Sequence, residues 1–106
     1  MEKRATFIAM IRPTRSGFTE EMLPAEAEAM QAHFAFMDQA VQERKFYLIG
    51  PCLDRAFGIS IFEAASLEEA HEMMQHDPCV TRGVMSYEVH PYHISYFDGA
   101  EVTETP

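Results

Sequence analysis

Residues 56–62 read A-F-G-I-S-I-F. In an extended chain successive side chains point to opposite faces, so Phe57, Ile59 and Ile61 share one side and Gly58, Ser60 and Phe62 the other. Large apolar groups therefore lie on both faces, the pattern of a strand covered on both sides. The segment Ala5–Ile11 (A-T-F-I-A-M-I) has the same character. A sheet built from such strands needs something packed on each face.

Working outward, Phe46–Ile49 (F-Y-L-I) forms a short strand closed by Gly50-Pro51, because Pro51 cannot donate to a sheet ladder. Asp54-Arg55 is the turn between these two strands. Upstream, Arg12–Phe18 is a break. Pro24 then opens a helix that runs to about Arg44, with Met30, Phe34, Met37 and Val41 as its predicted apolar stripe. Downstream, Ser66 followed by Glu69 is a capping-box pattern. The helix it opens carries Leu67, Ala70 and Met74 on one face and is expected to stop near Asp77-Pro78, since the residue before proline disfavours helical geometry. Val84–Ile94 is a fourth strand with Met85, Tyr87 and Val89 on one side, and Pro91 marks an edge or bulge.

The order βαββαβ gives an α+β, ferredoxin-like fold: a four-stranded antiparallel sheet with two helices on one face. No segment remains to cover the other face. Leaving several large apolar side chains there in water would cost about 1.5–3 kcal/mol each. A second copy of the sheet is the simplest cover, so a homodimer of the dimeric α+β barrel type is expected. The predicted domain spans residues 1–97, with 98–106 as a flexible polar tail.

Composition narrows the partners. The 106 residues carry 8 Lys+Arg against 17 Asp+Glu, a net charge of −9, which argues against nucleic acid or an anionic membrane as partner. A small-molecule substrate remains open, including an anionic one held by a local cation. No apolar run approaches the roughly 18 residues of a membrane span. The N-terminus leads straight into a strand-like segment too short for a signal-peptide core, so a cytoplasmic location is expected. Cys52 and Cys79 are expected to be free thiols, with their role left open.

His33 lies at the margin of the helix stripe, neither central nor fully outside it. Such a ring is either a pocket base or a filler bonded to a backbone carbonyl. Asp77 ends the second helix, where the macrodipole opposes a carboxylate and invites a compensating partner; a solvated helix stop is the alternative. Metal binding is not expected: His90 and His93 fall on opposite strand faces, and His71 and His76 lack the i, i+4 spacing. No serine has a nucleophile-elbow context.

Several short motifs in order carry a resemblance: His33-Phe34, Phe46–Pro51, Gly58, Ser66–Ala70, Asp77-Pro78, Gly83, and a strand ending Val89-His90-Pro91. From about residue 5 to 92 the chain resembles the YCII-related (YciI-like) proteins. That resemblance implies a dimeric α+β barrel, and a His–Asp dyad at the positions of His33 and Asp77. One related member is a dehydrochlorinase of a chlorinated hydroxyquinol, and the family resembles muconolactone isomerases. The Arg12–Leu23 loop is longer than the compact family pattern.

A carboxylate bonded to one ring nitrogen fixes the tautomer and raises the basicity of the other. The expected function is therefore a small enzyme, independent of cofactors, that uses His33 and Asp77 for proton abstraction with elimination or isomerisation on a small cyclic or aromatic substrate. Candidate substrate contacts are Arg12, Gly50, Pro51, Gly58 and Ser60. The alternative is a non-catalytic ligand-binding or regulatory module of the same fold.

Overall fold

A computed structural model describes residues 5–97 and the backbone of 100–101. The strands are β1 (Ala5–Pro13), β2 (Phe46–Pro51), β3 (Gly58–Ala64) and β4 (Met85–Pro91), joined by helices α1 (Pro24–Glu43), α2 (Leu67–Gln75) and α3 (Pro78–Thr81). They form one antiparallel sheet in the order β2-β3-β1-β4, the ferredoxin-like arrangement. The tail expected from Asp98 onward lies outside the described residues, except that the backbone of β6 (Ala100–Glu101) pairs with β5 (Tyr96–Phe97).

Register fixes the faces. Phe7 pairs with Phe62, Ala9 with Ser60 and with Val89, and Ile11 with Gly58, so these side chains share the helix-facing side. There Phe7, Phe62, Ala64 and Val89 pack against Ala70, Met73 and Met74 of α2. Ile8, Met10, Ile59 and Leu48 fall on the far face, and Leu48 is exposed. The two-sided apolar reading of β1 and β3 corresponds to this arrangement.

The ends of the helices follow their local chemistry. Glu26 accepts the Leu23 N–H at 2.7 Å, satisfying a donor at the start of α1. Ser66 Oγ accepts the Glu69 N–H at 3.0 Å, and the Glu69 carboxylate accepts the Ala65 N–H at 3.2 Å. Gly83 takes φ +74°, a left-handed conformation that lets the chain leave α3 and enter β4.

The stripe on α1 differs from the expected one. Phe34 and Val41 are 58% and 46% exposed, whereas the buried positions are Glu26, Ala29, His33 and Ala40. Ala29 packs with Phe18, Cys79, Val84 and Met85, so α1 approaches α3 closely. Close approach selects small side chains at that contact, while the larger Met30 and Phe36 pack beside it, partly buried, and line the cavity. This rotation takes His33 from the margin into the buried face.

No helix among the described residues is long and apolar enough to cross a membrane.

Candidate active site

Asp77 is not simply the end of α2. That helix stops at Gln75, and Asp77 is instead the N-cap of α3, with Pro78 in the first turn. Its Oδ1 accepts the Cys79 N–H at 3.0 Å. A carboxylate is favourable at such a position, so the expected conflict with a helix C-terminus is offset by the start of the next helix. The four residues of α3 are too few to show a helical period, which hid this in the sequence.

His33 Nδ1 lies 2.7 Å from Asp77 Oδ2 and 2.9 Å from Oδ1, across 44 positions of chain. His33 is 9% exposed and Asp77 1%. A carboxylate only accepts, so Nδ1 carries the hydrogen and donates it, which leaves the Nε2 lone pair free in the neutral ring. No buried side-chain nitrogen or oxygen among the described residues lacks a partner. Nε2 has no hydrogen bond among the described residues and is therefore an atom that solvent or a ligand can reach. The centroid of the Phe34 ring lies 5.4 Å from that of the imidazole, at a tilt of 55°.

Cys79 Sγ lies 3.5 Å from His33 Nδ1. Burial, followed by the nearby negative charge of Asp77, pushes the thiol well above its ordinary range, so it stays protonated. His33, Asp77 and Cys79 bring N, O and S donors within 4.8 Å of one another, a grouping that a spacing search for paired histidines cannot find. Two ligands of one tetrahedral zinc would lie roughly 3.3 Å apart or more. The 2.7 Å contact is thus a hydrogen bond, and a metal would have to open it.

A cavity of about 510 Å³ lies between α1 and the sheet, with His33 and Asp77 in its wall. Ala9, Gly58 and Ser60 also line it; small side chains on the helix-facing side of β1 and β3 leave the space that larger ones would fill. The long Arg12–Leu23 segment supplies Phe18 and Thr19 to the lining. Its fold is held by Arg15, which donates to both carboxylate oxygens of Glu26 at 2.7 and 2.8 Å. Those bonds, with the Leu23 N–H, lower the Glu26 carboxyl to about 2.

The structure brings His33, Asp77, Gly50, Pro51, Gly58 and Ser60 together around this cavity. It does not bring Arg12 there. Position 12 points to the far face of β1, where Nη1 bonds Glu88 Oε2 at 2.8 Å and the guanidinium covers the Phe57 ring. The alternation of Phe7, Ala9 and Ile11 carried the signal that would have separated Arg12 from the pocket. Cys52 and Arg55 line the cavity as well.

A family model described as the YCII-related domain matches residues 7–93. The chain belongs to the YCII-related family. Its YCII-related sequence is 38% identical over 56 residues to the uncharacterized protein YjpA of Bacillus subtilis (strain 168), a match covering 53% of this chain and 66% of that one. The match thus spans just under two thirds of the relative's length. Among solved structures, the fold resembles 5-chloro-2-hydroxyhydroquinone dehydrochlorinase (TftG) from Burkholderia phenoliruptrix AC1100, in complex with 2,5-dihydroxybenzoquinone. The TM-score is 0.62 at 21% identity, over 82% of this chain and 93% of that chain. At that identity the likeness shows the fold.

Proposed function

We propose that this YCII-related protein is a cofactor-independent lyase or isomerase acting on a small cyclic or aromatic substrate, with His33 as base and Asp77 as its partner. One observation carries the reading: the imidazole, in the wall of an apolar cavity, is bonded to a buried carboxylate through Nδ1 while its Nε2 stays reachable. A filler histidine gains nothing from a reachable second nitrogen.

In the reaction, Nε2 takes a proton from a C–H or O–H of the bound ring. The Asp77 carboxylate, fixed by the Cys79 N–H, stabilises the imidazolium that forms. The electron pair left on the substrate moves into the adjacent unsaturated system. If the neighbouring carbon bears a leaving group such as chloride, that group departs with its bonding pair, which is elimination. If not, the imidazolium returns the proton to a different carbon, which is isomerisation. Neither course needs an oxidant or reductant. The apolar walls strengthen these charge interactions by excluding water.

The solved relative is named as a dehydrochlorinase and holds a dihydroxybenzoquinone, which makes halogenated quinols the first class to test, followed by lactones. The proposal includes a homodimer, with Ile8, Met10, Leu48 and Ile59 of the far sheet face against a second copy. Turnover of a compound from this panel, reduced roughly 10²–10⁴-fold in His33→Ala, supports the reading; unchanged turnover in that variant removes it. The mostly apolar lining also suits a ligand-binding module, and binding without turnover across the panel would favour that alternative.

A further inference from the structure

Arg55 stands in the turn that joins β2 to β3, two positions after Leu53, which is 99% exposed; both residues line the cavity, so the turn lies at its opening. Backbone bonds hold this turn: Arg55 N–H to Cys52 O at 2.9 Å, and Cys52 N–H to Phe57 O at 2.8 Å. The Asp54 carboxylate is engaged with the Ala56 N–H at 3.0 Å. None of these bonds uses the Arg55 side chain. Its φ of +66° is a left-handed conformation that glycine would adopt with less strain.

Three other arginines are each held by a glutamate: Arg12 by Glu88, Arg15 by Glu26 and Arg44 by Glu69. Arg55 has no ion pair among the described residues. Of the described residues lining the cavity it is the one permanent cation, and the one carboxylate among them, Asp77, is taken by His33. The chain as a whole carries −9, so its general field repels anions and a ligand anion needs a local positive site. A guanidinium can meet a carboxylate with two parallel hydrogen bonds.

We infer that Arg55 is an anion-binding residue at the cavity mouth and that the ligand is an apolar ring bearing a carboxylate. The ring fills the space between α1 and the sheet, and its carboxylate stays at the opening on Arg55. This inference rests on the proposed cavity as the binding site and extends it by naming the substrate class.

The test is calorimetric binding of a matched pair, 2,5-dihydroxybenzoate and 2,5-dihydroxybenzamide, to the intact protein. The carboxylate should bind about tenfold more tightly or better, with the preference shrinking in high salt. In Arg55→Gln and Arg55→Gly the preference should collapse to near unity while amide binding is retained. Arg55→Gly should also raise the melting temperature, which guards against loss by misfolding. Equal binding of the pair, no carboxylate binding at millimolar concentration, or a preference that survives in both variants overturns the inference. His33→Ala separates the two proposals. Lost turnover with the preference intact leaves both standing, and intact turnover with the preference intact removes the dyad alone. A preference lost in His33→Ala but kept in Arg55→Gln assigns the anion to the imidazole and overturns the role of Arg55.

Discussion

His33 Nδ1 lies 2.7 Å from Asp77 Oδ2, and the same carboxylate accepts the backbone N–H of Cys79 at 3.0 Å. The acid therefore orients the ring of α1 and caps α3 at once. Asp77→Asn keeps the shape but offers an amide where two donors converge. The imidazole then gains no stabilisation on protonation. Turnover is expected to fall roughly 10²–10⁴-fold with KM changed little, checked by steady-state kinetics. Asp77→Ala should in addition lower stability by about 1–3 kcal/mol for each buried donor left without a partner, measured by denaturant unfolding.

The rotation of α1 predicts an inverted sensitivity to substitution. Ala29 is fully buried at the contact with α3, so Ala29→Leu should destabilise by about 1–3 kcal/mol through overpacking and spread α1 from Asp77. Phe34, larger but more than half exposed, should tolerate Phe34→Ser at under about 1 kcal/mol. Thermal melts of the two variants decide between this helix face and the one centred on Phe34 and Val41.

That contrast also marks what the sequence could convey. The faces of β3 followed from a period of two and needed no tertiary knowledge. The face of α1 did not, because large apolar residues attract the eye while the close contact with α3 calls for alanine. The pairing of His33 with Asp77 spans 44 residues and was implied by family resemblance rather than by any local pattern. Arg12 was legible as to face: its parity on β1 opposes Ala9 and Ile11, so its place on the far side followed from alternation, whereas its partner Glu88 depends on the register of β1 with β4.

Glu26 supplies an acid-sensitive contact. The Arg15 guanidinium, and after it the Leu23 N–H, lower its carboxyl from about 4.5 to about 2. The folded value lies below the unfolded one, so the contact stabilises above pH 4.5 and is lost as the pH falls toward 2. Glu26→Gln should leave less of the stability gain that wild type shows between those limits. Denaturant midpoints of both proteins across this range check it.

The two thiols should differ sharply in reactivity. Cys52 is partly exposed at the cavity, whereas Cys79 is buried with its thiol pushed upward by desolvation and by Asp77. A thiol reagent at mildly alkaline pH should label one cysteine quickly and the second only on unfolding. Because folding disfavours the Cys79 thiolate, stability should decline as the pH rises above the unfolded thiol's value of roughly 8.5. Cys79→Ser should lessen that decline.

The proposed role of the base rests on the claim that Asp77 holds the His33 hydrogen on Nδ1 and leaves Nε2 free. Nitrogen-15 NMR of the imidazole, at a pH where the ring is neutral, reads this directly. The expected spectrum shows a protonated Nδ1 and an unprotonated Nε2, with the signature lost in Asp77→Asn. A neutral ring carrying its hydrogen on Nε2 in the wild-type protein would contradict the claim.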